Sequence, residues 1–355
     1  EPERGPSRAR QAAQAQAAPL TVGSGGTAPS AEELEHRLQP ATSWLREAAG
    51  VLPGLVGADI DAIVGRLEHD WLELRGERMH LEVHSAAAAG ASPRATVVFA
   101  HGLGDHARRS TTLGGALAAA GMNAVLVDRR GHGLSEGRRG DATLGEDLAL
   151  LEAALRYARQ RFGGPVVLMG DSLGGIMSWY LLTREPDADA VVCHCINHPD
   201  ERHDASLAWK EPLIRMLARV VPALGMPVTQ IADYSQVALE PLTSRYFSDR
   251  LDPLFNFTVT LRSVASYTRF EPAVAWDRIE TPVLVTIGSE DRMVSQAHTE
   301  RCLARARPPN TTYVAHPGMG HQLYLDHLAD ALPTVTDWID STLRSLGREP
   351  DPAPA

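Results

Sequence analysis

A serine lies where the surrounding pattern predicts an exposed nucleophile. Ser172 is the central residue of Gly-Asp-Ser-Leu-Gly at 170–174, which follows the apolar run 165–169 and opens a helical pattern at 173–184. A strand, a sharp turn with the serine at its apex, and a helix together form a nucleophile elbow. The two glycines allow the tight turn, and the helix N-terminus favours negative charge nearby.

An acid and a histidine that could activate this serine follow later in the chain. Asp291 comes after the apolar run 283–287, and His321 follows Gly-Met-Gly at 318–320. The histidine would accept the serine proton during attack and return it to the leaving group, while a carboxylate holds the imidazole in the required tautomer. Glu290, adjacent to Asp291, is the alternative acid.

Backbone amides that stabilise a developing oxyanion are expected in two loops. His-Gly-Leu-Gly-Asp-His at 101–106 follows the strand pattern 97–100. A loop of this kind supplies one N–H group, and the residue after the nucleophile supplies the second. The expected donors are therefore the amides of Leu103 and Leu173.

Five segments resemble the monoacylglycerol lipase and lysophospholipase-like branch of the α/β-hydrolases, the serine aminopeptidase S33 type. They are His-Gly-Leu-Gly-Asp-His at 101–106, Asp-Arg-Arg-Gly-His-Gly-Leu-Ser-Glu-Gly at 128–137, Gly-Asp-Ser-Leu-Gly-Gly at 170–175, Gly-Ser-Glu-Asp at 288–291 and Gly-His at 320–321. The resemblance implies hydrolysis of carboxylic esters with an apolar acyl or alcohol part, through an acyl-enzyme. It implies no cofactor. The cluster His198, Asp200, His203 and Asp204 could bind a metal, but it lacks a known ligand spacing, so no metal is expected.

The chain departs from that branch at two places, and two other functions stay open. Asp105 stands where the family usually has glutamate, and Asn-His-Pro-Asp at 197–200 replaces a Ser-x-Pro-like turn. A thioesterase or acyltransferase would use the same three residues with a different acceptor. A noncatalytic ligand-binding protein could share the fold, since fold does not fix function.

Strand and helix patterns alternate along most of the chain. After a predicted hairpin at 71–83, strands are expected at about 95–100, 123–128, 165–170, 190–196, 282–287 and 311–315, and helices at about 109–120, 144–162, 173–184, 296–306 and 321–345. Such alternation predicts an α/β-hydrolase fold with a mostly parallel eight-stranded sheet covered by helices on both faces.

The remaining segments define the expected domain organisation. We expect disordered tails at 1–30 and 347–355, a helical extension at 31–69 with helices at about 31–49 and 58–69, a hydrolase core at 70–198 and 266–346, and a cap insertion at 199–265. The first tail lacks the large apolar side chains that a core requires. Ser30 and Glu33 have the spacing of a capping box.

The cap contains a segment, 212–224, that is apolar around most of a helix. A helix of this kind is buried or faces an apolar cavity. The sequence therefore predicts an acyl-binding surface on it, formed by Leu213, Met216, Leu217 and Val220.

The composition of the chain limits which partners it can bind. The net charge of −10 argues against nucleic acid or an anionic membrane surface, and no apolar run is long enough to span a membrane. The expected partner is a small-molecule or lipid ester.

Cys193, Cys195 and Cys302 do not suggest a disulfide framework. A cytoplasmic location is expected, with secretion left open because the chain begins at Glu1 without a methionine.

Overall fold

The computed structural model describes residues 29–201, 211–238, 240–268 and 270–348. The two predicted tails therefore lie almost entirely outside the described residues. No helix in these four ranges is both long and apolar enough to cross a membrane.

The fold is built on an eight-stranded sheet. Its strands are β1 (Glu68–Leu74), β2 (Glu77–His84), β3 (Ala95–Ala100), β4 (Met122–Val127), β5 (Val166–Asp171), β6 (Ala190–His194), β9 (Val283–Gly288) and β10 (Thr311–His316). Their spatial order is β1-β2-β4-β3-β5-β6-β9-β10. Only the pairs β1–β2 and β2–β4 are antiparallel. The predicted mostly parallel sheet is confirmed.

Helices cover both faces of this sheet. They are α1 (Ala31–Val51), α2 (Ile60–Val64), α3 (Thr111–Ala119), α4 (Leu144–Phe162), α5 (Leu173–Leu182), α9 (Gln296–Arg305) and α10 (Leu328–Ser345). Successive strand side chains point to opposite faces. Thus Val98 packs in the core that contains α4 and α5, whereas Val97 packs in the core that contains α1, α3 and α10.

The helical extension belongs to the second of these cores. Ser30 accepts a hydrogen bond from the Glu33 amide, and the Glu33 carboxylate accepts one from the Ser30 amide, so the predicted capping box is confirmed. Trp44 and Leu45 of α1 are buried against the sheet. The second predicted helix is shorter than expected because β1 already begins at Glu68.

The segment between β6 and β9 contains smaller elements. They are α6 (Glu211–Val220), β7 (Gly225–Pro227), α7 (Pro241–Ser248), β8 (Thr258–Thr260) and α8 (Leu261–Tyr267), with β7 and β8 paired antiparallel. The expected cap boundary at 265 falls inside α8. The last helix, α10, begins at Leu328 rather than at 321, because residues 322–326 form hydrogen-bonded turns instead.

Candidate active site

The turn at Ser172 has a backbone geometry that fits the predicted nucleophile elbow. Ser172 lies between β5 and α5 with φ +54° and ψ −117°, a region that non-glycine residues rarely adopt. A Cβ atom on Gly174 would lie 2.0 Å from the Ala100 carbonyl oxygen, and one on Gly170 would lie 2.1 Å from the Gly174 carbonyl oxygen. Larger residues at either glycine would therefore force the turn open.

The structure brings Ser172, His321 and Asp291 into one line of hydrogen bonds. The Ser172 Oγ atom lies 2.9 Å from His321 Nε2, and His321 Nδ1 lies 2.8 Å from Asp291 Oδ2. These three residues come from turns beyond the carboxyl ends of β5, β10 and β9. The line has the geometry in which a histidine can accept a serine proton.

The two adjacent carboxylates after β9 have different surroundings. Asp291 is buried, and its Oδ1 atom accepts hydrogen bonds of 2.8 Å from the amides of Met293 and Val294. Glu290 is exposed to solvent. The structure therefore places Asp291, and not Glu290, against His321.

Burial and charge act in opposite directions on this pair. Burial lowers the pKa of His321, but the charge and hydrogen bond of Asp291 outweigh it, so the pKa is raised above 6.5. Burial likewise raises the pKa of Asp291, but contact with His321 outweighs it, so the pKa is lowered. Asp291 is thus held as a carboxylate that stabilises a protonated His321.

Both predicted oxyanion residues lie beside the serine. Leu103 and Leu173 line the same cavity as Ser172. Leu173 is the first residue of α5, where backbone amides have no intrahelical acceptor. The segment between β6 and β9 also holds the Leu103 loop, because the Tyr234 hydroxyl donates to the Leu103 carbonyl at 3.0 Å and the backbone amide of Asn256 donates to the Gly104 carbonyl at 2.7 Å.

An apolar cavity opens over Ser172, with a volume of about 150 Å³. Its apolar lining comes from the core and from the segment between β6 and β9: Ile176, Ile231, Ala232, Val237, Phe247, Phe255, Met293 and Val294. Ligand pockets commonly measure roughly 300–1,000 Å³. The cavity that the described residues form is therefore smaller than most ligand pockets.

One part of the cavity wall is polar. Arg109 is buried there, with Nε 2.7 Å from Asp105 Oδ2 and Nη2 2.6 Å from Gln322 Oε1. Its guanidinium lies over the rings of Tyr246 and Phe247, at 5.1 Å from each centroid. The Nη1 atom has no hydrogen-bond partner among the described residues.

The predicted acyl-binding residues lie elsewhere. Leu213, Met216 and Val220 are 49%, 54% and 74% exposed, and Leu217 packs with Ile214 against α8. None of these four residues is among those that line the cavity formed by the described residues. The expectation is corrected because α6 buries only a narrow stripe, formed around Ile214, and leaves the rest of its apolar surface in solvent.

Sequence reasoning missed the residues that line the cavity. Val237 lies in a turn and Phe247 in a short helix, where no periodic pattern marks a buried side chain. Arg109 carried a weak signal, since it follows Asp105 at a spacing of four residues and pairs with it. That spacing also fits an ordinary surface pair.

Four potential metal ligands meet behind the serine. One donor atom from each of His194, Cys195, Asp291 and His321 lies within 4.8 Å of the other three, and all four residues are buried. A metal ion there would compete for the groups that join His321 to Asp291. The hydrogen-bonded line and a metal site at this place are therefore alternatives.

A comparison with known protein families identifies the family of this chain. The family described as serine aminopeptidase, S33, matches residues 91–327, which include the elbow, Asp291 and His321. The chain belongs to this family. Within the α/β-hydrolases it lies in the monoacylglycerol lipase-like branch, as the resemblance of its motifs predicts.

Relatives of this S33 family member include two lipases. A monoacylglycerol lipase of Mycolicibacterium smegmatis is 25% identical over 288 residues, which cover 78% of this chain and 98% of that protein. The human monoglyceride lipase is 23% identical over 252 residues, covering 69% of this chain and 80% of the human protein.

Solved structures share the fold. The monoacylglycerol lipase of Paleococcus ferrophilus has a TM-score of 0.62 at 23% identity, over 74% of this chain and 99% of its own. A soluble variant of monoglyceride lipase from Saccharomyces cerevisiae, in complex with a substrate analogue, has a TM-score of 0.65 at 16% identity, over 78% and 96%. These likenesses concern the fold of the S33 chain.

Proposed function

We propose that this protein is a serine hydrolase of carboxylic esters that have an apolar acyl group and a small polar alcohol, with monoacylglycerols as the first candidates. The observation that carries the proposal is the hydrogen-bonded line from Ser172 through His321 to Asp291 at the wall of an apolar cavity. The two lipase relatives support the substrate class.

The first half-reaction forms an acyl-enzyme. His321 Nε2 takes the hydroxyl proton as Ser172 Oγ bonds to the ester carbonyl carbon, and the carbonyl oxygen becomes an oxyanion. The Leu103 and Leu173 amides donate to that oxyanion; losing one such donor costs roughly 3–4 kcal/mol of transition-state stabilisation in related chemistry. The carbon–oxygen ester bond then breaks, and His321 returns the proton to the departing alcohol.

The second half-reaction releases the acid. Water loses a proton to His321 as it attacks the acyl carbon, and the bond to Ser172 Oγ breaks with the proton returned to the serine. Asp291 stabilises the imidazolium in both halves. The products are a carboxylic acid and the regenerated Ser172.

The lining of the cavity supports a placement for each of the two parts of the substrate. In this proposal the acyl group contacts the apolar side chains Val237, Phe247 and Phe255, contributed by the cap between β6 and β9. The alcohol lies on the polar side of the cavity, near the ion pair of Arg109 and Asp105. Asp105 balances the charge of Arg109, so a neutral alcohol fits better than a charged one.

A substrate panel tests the proposal. Hydrolysis of p-nitrophenyl esters from acetate to palmitate, monoacylglycerols of the same chain lengths, and acyl-CoA thioesters would be measured with wild type and Ser172→Ala. We expect ester turnover by wild type alone, with monoacylglycerols preferred over thioesters. A preference for acyl-CoA would support the thioesterase or acyltransferase alternative, and binding without turnover would support a noncatalytic protein.

A further inference from the structure

The short turn at residues 106–109 connects the Leu103 loop to α3, and each of its four residues is anchored to a different neighbour. The His106 ring binds a carboxylate of the cap at 2.7 Å. The amide of the next residue donates to a carboxylate that follows β4, also at 2.7 Å. Arg109 binds the Leu103 loop and the turns after β10. The remaining residue, Arg108, binds partners outside the site.

Those partners lie on the helical extension and on β2. Arg108 Nη1 and Nη2 donate to the two carboxylate oxygens of Glu35 on α1, at 2.7 and 2.6 Å. The Nη1 atom also donates to Thr42 Oγ1 on α1 at 2.8 Å, and Nε donates to Glu82 Oε1 on β2 at 2.7 Å. Arg108 and Glu82 are fully buried, whereas the Glu35 side chain is 34% exposed. The extension thus supplies both Glu35 and Thr42 to this arginine.

The ion pair of Glu35 and Arg108 restrains the arginine in orientation as well as in position. Two parallel N–H···O bonds join the planar guanidinium to the planar carboxylate. Burial raises the pKa of Glu35, but its hydrogen bonds with Arg108 and His69 outweigh this effect, so the pKa is lowered to about 2. Loss of Arg108 would leave Glu82 buried without its guanidinium partner, which is costly. Loss of Glu35 leaves that second pair intact, so Glu35 is the residue to change.

The backbone of the turn and the Leu103 loop are joined by short contacts. Arg109, next to Arg108 in the chain, donates through Nε to Asp105 Oδ2 at 2.7 Å. Asp105 Oδ1 accepts a hydrogen bond of 2.9 Å from the His106 amide. A shift of the Arg108 backbone is therefore passed to the loop that carries the Leu103 amide. An oxyanion donor has to lie 2.7–3.1 Å from the charge that develops, so a small shift weakens it.

We propose that Glu35 of α1 is a positioning residue of the hydrolytic site, which holds the Leu103 amide in place through its ion pair with Arg108. The proposal rests on the proposed function, because this amide matters only if an ester is cleaved at Ser172. It gives the helical extension a role in the reaction, although this helix lies before residue 91, where the match to the S33 family begins.

The proposal predicts a loss of kcat at nearly constant KM. Both half-reactions pass through an oxyanion that is absent from the bound ester, so a displaced Leu103 amide weakens the transition state and not substrate binding. Glu35→Ala removes the carboxylate and keeps a strong helix former in α1. We expect its kcat for p-nitrophenyl acetate to fall about tenfold, less than the roughly 10²–10³-fold loss from removing such a donor. Its KM should stay within about twofold of wild type.

Counting the assembled sites separates this effect from a loss of folding. Each variant would be labelled to completion with a fluorophosphonate, and kcat would be expressed per labelled Ser172. Partial unfolding reduces the number of labelled sites and leaves kcat per site unchanged. Arg46→Ala is the matched control, because Arg46 Nη2 joins the same helix to Asp61 of α2 at 2.7 Å on the exposed side. Its kcat per site should stay within about twofold of wild type.

Two results would overturn the proposal. One is a Glu35→Ala variant whose kcat per labelled site equals that of wild type, whatever its KM; the other is an equal loss of kcat per site in Arg46→Ala. Glu35→Gln keeps one acceptor oxygen for Arg108, so its kcat should lie between those of Glu35→Ala and wild type, and it replaces Glu35→Ala if the latter yields no labelled sites.

The wild-type protein distinguishes a failure of this proposal from a failure of the proposed function. If wild type is labelled and hydrolyses esters while Glu35→Ala matches it per site, only the role of Glu35 fails. If wild type is neither labelled nor active, the proposed function fails and the role of Glu35 falls with it.

Discussion

Asp291 and Glu290 are adjacent in the chain, yet only Asp291 lies against the imidazole of His321. Asp291→Asn should lower kcat on the order of 10⁴-fold, because an amide in its place favours the wrong tautomer of the histidine. The same change removes the main cause that raises the pKa of His321, so burial then lowers it. The acidic limb of the kcat/KM profile, measured on the residual activity, should therefore move to lower pH.

Glu290→Gln is the matched control for this prediction. Its side chain is exposed, so its kcat and acidic limb should stay within about twofold and a few tenths of a pH unit of wild type. Stopped or continuous ester assays between pH 5 and 9 measure both variants. A large loss in Glu290→Gln with little loss in Asp291→Asn would transfer the acid role to Glu290.

The positions of the reacting side chains follow from residue-scale signals in the sequence. Ser172 and Asp291 each follow an apolar run, His321 follows a glycine-rich loop after a predicted strand, and carboxyl ends of neighbouring parallel strands meet at one edge of a sheet. The hydrogen bond of His194 to Asp171 has no such signal in the sequence. These two residues are distant in sequence and close only in the fold.

At the scale of elements, the cap should set the preference for acyl length. Val237 is 3% exposed and lines the cavity, whereas Met216 on α6 is 54% exposed. Val237→Asp should raise KM for long-chain esters at least about tenfold more than for acetate, because a charge is costly in an apolar site. Met216→Asp should leave the ratio of the two KM values unchanged within about twofold.

Melting curves of both cap variants identify any loss of folding. If a folded Val237→Asp loses long-chain and short-chain activity equally, Val237 does not contact the acyl group. If Met216→Asp alters the long-chain KM selectively, α6 moves onto the substrate during the reaction. Phe255→Ala gives a second test, since it enlarges the same wall without adding charge.

The elements differ in how far the sequence predicts them. Buried parallel strands appear as continuous apolar runs, so the strands of the main sheet are predicted to within a few residues. The cap is not predicted at this level, because which stripe of α6 is buried depends on contacts with α8. Its cavity residues lie in turns and short helices, whose side-chain directions depend on tertiary contacts rather than on periodicity.

At the scale of the whole molecule, the N-terminal extension supports the cap as well as the sheet. Trp44 of α1 is 3% exposed, and its ring centroid lies 4.8 Å from that of Tyr246 on α7. Phe247, the next residue, lines the cavity. Through this contact, α1 packs behind the wall of the proposed acyl site and supports it.

Trp44→Ala should therefore cost about 3–5 kcal/mol of stability and lower the melting temperature by at least about 5 °C. Val56→Ala, at a site 67% exposed, is the control and should melt within about 1 °C of wild type. Calorimetry or circular dichroism measures both. Equal melting of Trp44→Ala and wild type would show that α1 is not part of the cooperative core.

The central claim is that Ser172 is the nucleophile, and phosphonate labelling tests it most directly. The full chain would be treated with a fluorophosphonate and the adduct located by peptide mass spectrometry, with Ser172→Ala beside it and Ser135→Ala as the control at a second serine in a glycine-rich turn. The account predicts one stoichiometric adduct on Ser172 in wild type and in Ser135→Ala, and none in Ser172→Ala. An adduct on another residue, or labelling and ester turnover that persist in Ser172→Ala, would contradict it.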